Sequence, residues 1–196
     1  MKKLFALLLA MAMILTLTAC GDKGSDKGVA NKPEDVAKAF VKAEALNDMN
    51  EMKGLYVHDY EAEMKADALD EYGDEETFFE EFSEEMGEEI KSWNAAFAAV
   101  KKMYKEQLEE MYGKYTLSVD VTDTIEMDED ELEDIKYDLE DYVSDGYLSE
   151  KDWNNIKAGV IVTVELAIEG EENEDKVAYD VYLVKVGSKW KVADYD

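Results

Sequence analysis

VIVTVELAIEGEENEDKVAYDVYLVKVGSKWKVADYD, residues 160–196, decides the fold class. Val160, Val162, Val164, Leu166 and Ile168 recur at every second position. A strand places such residues on one face, so the stretch predicts a long half-buried strand. Gly170 to Asp175 is polar and reads as a hairpin loop. Val177, Tyr179, Val181 and Leu183 then alternate on a second strand. Gly187-Ser188 predicts a tight two-residue turn, and Trp190 and Val192 continue a short last strand. The C-terminal part is therefore an antiparallel meander.

Moving towards the N-terminus, the same period two holds over Tyr115, Leu117, Val119 and Val121, ending at Thr122. Asp128 and Glu131 form a capping-box pattern ahead of a helix striped by Leu132, Ile135, Leu139 and Tyr142. Asp145-Gly146 signals a turn, and residues 146–156 read as connection. Before Gly113 the period is that of a helix. Phe79, Phe82, Met86, Ile90, Trp93, Phe97, Val100, Tyr104, Leu108 and Met111 follow steps of three and four. A straight helix over this stretch would be about 50 Å long. A globule of this size is nearer ~40 Å across. A break is therefore expected at Gly87, the poorest helix former in the run. Pro33-Glu34-Asp35 opens a first helix, with proline at its start and acids in its first turn. Asp48 and Glu51 suggest a capping box for a short second helix through Tyr56, and a third helix is expected over Tyr60 to Tyr72, stopping at Gly73. Helices first and strands later predict an α+β fold, with N-terminal helices packed on one face of a curved, mostly antiparallel sheet. Residues 33–196 suit a single domain.

The first nineteen residues read differently. Lys2 and Lys3 precede twelve unbroken apolar residues, Leu4 to Leu15. Twelve is short of the ~20 a spanning helix needs, so residues 1–19 are expected to be a cleaved signal peptide. Leu17-Thr18-Ala19-Cys20 resembles the lipobox of bacterial lipoproteins. That resemblance implies cleavage between Ala19 and Cys20 and lipid attachment to the Cys20 thiol. Two or more acyl chains are what stable anchoring requires, and palmitate is an expected one. The alternative is an ordinary secreted protein with a chance cysteine near its cleavage site. Residues 20–32 would then be the lipidated Cys20 and a flexible tether of Gly, Asp, Lys and Ser. The protein is expected outside the cytoplasm, lipid-anchored to the cell membrane. Cys20 is the only cysteine, so no internal disulfide is available and the core must hold the fold.

The formal net charge is −28, and every basic residue is lysine. Nucleic-acid binding needs a basic footprint, which this chain lacks. Anionic lipid would repel the domain within about a Debye length of ~8 Å, so the membrane is reached through the lipid on Cys20. The simplest reading of the acidity is a solvated, self-repelling surface. A cationic partner or divalent ions are the sharper alternative, since Glu80/Glu84, Glu81/Glu85, Glu84/Glu88 and Glu85/Glu89 are like-charge pairs one helical turn apart.

Two stretches carry a family resemblance. PEDVAKAFVKAEALNDMNEMKGLY, residues 33–56, pairs a helix with a second short helix, and YDVYLVKVGSKWKVADYD, residues 179–196, is a terminal hairpin. Read together, the mature chain resembles small bacterial lipoproteins with a nuclear-transport-factor-two-like (cystatin-like) domain. The resemblance implies a cone-shaped fold whose concave sheet face encloses a pocket. It does not imply one activity, because that scaffold hosts isomerases, dehydratases and binding modules alike.

No catalytic set is legible. His58 is the only histidine, and its surroundings do not resemble a nucleophile elbow. Zinc spacing is absent. Asp128 to Glu131 lacks the glycine and distal Glu of a calcium loop and reads as a helix start. Neither metal nor cofactor is expected. Trp93, Trp153 and Trp190 could line a pocket, although Trp93 and Trp190 read as core residues. Three functions follow. The first is a non-catalytic module binding a small molecule, peptide or envelope component through the concave face. The second is an enzyme using a buried carboxylate there. The third is an acidic domain meeting a protein of the cell envelope. An open concave face favours the first two, whereas a face filled by Trp, Tyr and Phe side chains removes both from that face and leaves the acidic outer surface.

Overall fold

The computed structural model describes residues 32–196. Leu17, Thr18, Ala19 and Cys20, with the signal peptide and nearly all of the tether, lie outside the described residues. The fold is α+β. Helices α1 (Pro33–Ala45), α2 (Met49–Met52), α3 (Tyr60–Tyr72), α4 (Glu75–Met86) and α5 (Trp93–Tyr112) come first. Strand β1 (Tyr115–Glu126) follows, then α6 (Glu129–Ser144) and α7 (Glu150–Asn154). Strands β2 (Ile156–Gly170), β3 (Glu174–Val186) and β4 (Lys189–Tyr195) complete the chain. The sheet is antiparallel, four-stranded and ordered β1-β2-β3-β4, so its first and last strands do not pair.

The expected break in the long periodic stretch is present. Gly87 caps α4 with φ of 67°, a left-handed conformation that suits glycine. The corner is tied by Ser83, whose hydroxyl accepts from the Ile90 amide at 2.9 Å and donates to its carbonyl at 3.2 Å. Ser92 then caps α5 through the Ala95 amide.

Four local expectations need correction. The Asp48 side chain does cap α2, accepting from the Glu51 amide. The reciprocal half of the box is absent, because the Asp48 amide already donates to the Ala43 carbonyl at 2.8 Å. Helix α2 also ends at Met52 rather than Tyr56. Residues 55–57 run instead along the outer edge of β4, where Val57 donates to Val192 and Val192 to Leu55. Strand β1 continues past Thr122 to Glu126, because a bulge between Val121 and Asp123 resets its pairing with β2. The connection over 146–156 contains α7, capped by Ser149 on the Asp152 amide; one turn is too short to show a period.

The helices also do not share one face. On one side of the sheet, Phe40 and Val41 of α1 and Leu108 and Tyr112 of α5 pack on Val162, Val164, Leu166, Val181 and Leu183. A separate cluster holds α3, α4 and α5 together through Met64, Phe78, Phe82, Phe97 and Val100. On the other side, Ile135 and Leu139 of α6 meet Ile156, Val184 and Ala193. Leu183 and Val184 are adjacent on one strand, so these two clusters lie on opposite faces. The face under α1 is filled by side chains, with Phe40, Val162, Val164, Val181 and Leu183 all fully buried.

Candidate functional site

Two places gather functional side chains. The first is a cluster of rings and carboxylates between α1, α3, α6 and β4. His58 is 5 % exposed, and its Nε2 lies 2.8 Å from a Glu63 carboxylate oxygen. Its ring stacks on Tyr142 at 4.0 Å, and the Tyr142 hydroxyl donates to the same Glu63. Tyr56 and Tyr60 stack beside it at 4.7 Å. Burial pushes the Tyr142 phenol up to about 12, helped by the Glu63 charge. It pushes Tyr56, Tyr60 and Tyr195 higher still. His58 is thus a pin joining the α2–α3 connection to α6, as expected of an ordinary histidine there.

Glu44, on α1, belongs to the same cluster and accepts a hydrogen bond from the Tyr195 hydroxyl at 3.2 Å. Burial raises its carboxyl, and the Tyr195 bond offsets part of that rise. A carboxyl that titrates higher in the fold than in the unfolded chain makes folding proton-binding between the two values. Below the ordinary value of 4.5 both states are protonated and nothing is lost. As pH rises through that value to the folded one, stability falls. Glu44→Gln keeps the acceptor for Tyr195 and removes the charge. Its melting temperature should exceed that of the parent at about pH 7 and match it below about pH 4. A variant less stable at both pH values would reverse the assignment.

The second place is a cleft of about 400 Å³ at the ends of β2, β3 and β4, against the β1–α6 junction. That volume falls within the ~300–1,000 Å³ of small-molecule sites. Its floor is apolar: Val160, Trp190, Met127 and Leu132. Local irregularity builds it. The β2–β3 register slips between the Ile156–Val186 and Gly159–Val184 pairs, and Lys157 and Ala158 occupy the slip. Gly159 presents no side chain at the point where Met127 and Leu132 pack down. Lys185 sits across the strand from Trp190, its ammonium 5.5 Å from the ring centroid.

The walls are charged. Lys157 and Lys185 line one part, and Glu126, Asp128 and Glu129 line another. Asp128 is committed: it accepts from the Glu131 amide at 2.9 Å, while Glu131 accepts from the Asp128 amide at 2.9 Å. This completes the capping box read from the sequence. Lys157, Lys185, Glu126 and Glu129 form no ion pair among the described residues.

The three tryptophans separate. Trp93 stacks on Phe78 at 4.6 Å and donates to Glu75, and Trp153 donates to the Lys136 carbonyl. Trp190 packs its inner side on the core, as expected, and also lines the cleft. Sequence reading missed both lysines, which lie far apart in the chain and meet only through the strand register. The cross-strand Lys-Val-Gly-Ser-Lys-Trp hairpin, residues 185–190, was their one visible signal. Among the described residues, no group of three or more His, Cys, Asp or Glu could hold a metal ion. Among the same residues, no helix is long and apolar enough to cross a membrane. No family model, curated protein or solved structure matches the chain.

Proposed function

We propose that this chain is a lipoprotein displayed outside the cytoplasm, anchored through lipid on Cys20, and acts there as a non-catalytic binding module. Leu17-Thr18-Ala19-Cys20 after a twelve-residue apolar run supports the anchoring. The single observation that supports binding is the cleft at the strand ends, with Trp190 on its floor and unpaired charges on its walls. Side chains fill the face under α1, so this reading moves the ligand from the expected concave face to the cleft at the strand ends. A curved, cone-shaped relative of the nuclear-transport-factor-two-like lipoproteins remains the family reading, argued from residues 33–56 and 179–196.

Anilinonaphthalene sulfonate tests the binding. This anionic aromatic dye is repelled by a surface of net charge −28 unless cations and an apolar floor receive it. The full chain, extracted from membranes in detergent, should bind the dye saturably at one site. Trp190→Ala should weaken that binding about tenfold or more. Dye binding that is unsaturable, or unchanged in Trp190→Ala, would remove the cleft reading. In the same preparation Cys20→Ala should move the chain from the membrane fraction to the soluble one; retention in the membrane would remove the lipid anchor.

A second reading, an enzyme with a buried carboxylate, is supported by Glu44, whose carboxyl is raised by burial, and more weakly by Asp67, raised by burial and by the Glu63 and Asp70 charges. Glu44 faces tyrosine rings at its site, and binding in the cleft does not require it.

A further inference from the structure

We propose that Glu44 and the tyrosine rings around it form a second binding site, for an organic cation of the methylated-ammonium class. The site shares no residue with the cleft and does not rest on it.

Separate parts of the chain converge there. Glu44 stands one helical turn beyond Phe40 on α1. Tyr195 of β4 donates to its carboxylate at 3.2 Å. Phe40 meets Tyr195 edge-on at 4.9 Å and Tyr56 at 5.3 Å, and Tyr60 of α3 stacks on Tyr56 at 4.7 Å. Tyr104 of α5 is held by a hydrogen bond with the Asn47 side chain, close enough for the Glu44 charge to act on its phenol. Among the described residues Tyr104 stacks on no other ring. Glu44, Tyr60, Tyr104 and Tyr195 are each half-buried, so the place lies at the margin of the filled sheet face and reaches solvent.

A carboxylate taken out of water needs donors or a cation. Glu44 has one donor, the Tyr195 hydroxyl, and joins no ion pair among the described residues. Many acids of this chain are unpaired, but water solvates them. Asp67, the other carboxyl raised by burial, is exposed beside Glu63 and Asp70, whereas Glu44 is set among rings. That setting selects the cation. A bare calcium ion takes ~6–8 oxygen ligands, and no group of three or more His, Cys, Asp or Glu among the described residues supplies them. A primary ammonium brings several N–H donors that ring faces do not satisfy. A fully methylated ammonium brings none. Its methyls lie against ring faces, whose quadrupole attracts the charge, and Glu44 is the counter-ion. A surface of net charge −28 draws cations of every kind, so discrimination among them comes from the rings.

Equilibrium dialysis of the full chain, extracted from membranes in detergent, against radiolabelled choline tests the site. Ionic strength is held constant so that screening does not change. Choline should bind saturably at one site with a Kd below about 10 mM. Glu44→Gln keeps the acceptor for Tyr195 and should weaken binding about tenfold or more. Tyr104→Phe keeps the ring and should bind like the parent, whereas Tyr104→Leu should lose about fivefold. Ethanolamine, the primary counterpart, should compete about tenfold less well than unlabelled choline. Trp190→Ala should leave choline binding unchanged. Binding that does not saturate, or that persists unchanged in Glu44→Gln, would show attraction to the acidic surface alone and overturn the site. Equal competition by ethanolamine would overturn the methylated class, and equal loss in Tyr104→Phe and Tyr104→Leu would overturn the ring contact. Loss of choline binding in Trp190→Ala would move the cation to the cleft and overturn the placement.

Discussion

Phe40→Ala should cost about 3–5 kcal/mol, the range for removing a large buried ring from a core. Phe40 is fully buried on α1. Its ring meets Tyr56 edge-on at 5.3 Å and Tyr195 at 4.9 Å. It therefore joins three parts of the chain: the first helix, the segment along β4 and the last strand. Edge-to-face pairs add to area burial, and truncation loses both. A domain of this size shifts its melting temperature by roughly 2–4 °C per kcal/mol, so a drop of about 10 °C is expected. Urea unfolding should show a lower midpoint at unchanged slope. Phe40→Leu, which keeps most of the volume, should lose less than half as much. A loss under about 1 kcal/mol in Phe40→Ala would mean that neighbouring side chains refill the site.

Gly170→Ala should be a costly single-methyl addition, because backbone atoms crowd the site. A Cβ there would lie 2.5 Å from the Tyr112 carbonyl oxygen, 2.8 Å from the Tyr112 Cβ and 3.0 Å from the Asn173 carbonyl oxygen. Two of these are backbone atoms, so no rotamer change relieves the clash. Both neighbours are also tied down. The Asn173 amide side chain donates to the Met111 carbonyl at 2.8 Å, and the Tyr112 carbonyl accepts from the Glu172 amide at 3.3 Å. The β2–β3 loop is thus docked on the end of α5, and an added methyl pushes the two apart. A loss of about 2–3 kcal/mol is expected, at the upper part of the overpacking range. Gly187→Ala is the comparison. Gly187 has φ of 63° and open space where a Cβ would go, so its cost is the left-handed backbone alone, ~1–2 kcal/mol. Urea midpoints that rank Gly187→Ala as the worse variant would show that the docking yields.

Much of this architecture is readable from spacing because local and global preferences agree. Helix α3 runs from Tyr60 to Tyr72 as its caps dictate, Asp59 at the start and Gly73 at the end. Residues Phe79 to Met111 keep one apolar period through a sharp corner, and only the length of the run and Gly87 betray the break. What spacing does not reveal are the irregularities. Bulges near Thr122, Ala158 and Ala193 each shift a register while leaving the local alternation of residue types plausible. The cleft is built at the one near Ala158, so beyond the 185–190 hairpin its lysines had no signature. The same holds for faces: Leu139 and Phe40 look alike as helix stripes, yet they cover opposite sides of the sheet. Histidine 58 was legible as unremarkable in its connection, but its partner Glu63 and its stack on Tyr142 depend on tertiary placement.

The two edges of the sheet differ in one further respect. Residues 55–57 cover part of the β4 edge, whereas β1 has no strand beside it on its outer side among the described residues. Strand β1 is twelve residues long, and Ile125 on it is 52 % exposed. Such an edge invites a second copy to add its own strand, and aggregation follows. Asp123 and Glu126 along it make the edge mutually repulsive between copies, and the bulge after Val121 bends it away. Much of the acidity thereby acts as a dispersant, independent of any ligand. Its protection is conditional: concentrated salt screens it, and acidification towards the isoelectric point near 4.2 discharges it. Acid should therefore relieve Glu44 inside the fold while making the intact molecules adhesive to one another, so folding stability and colloidal stability move in opposite directions with pH.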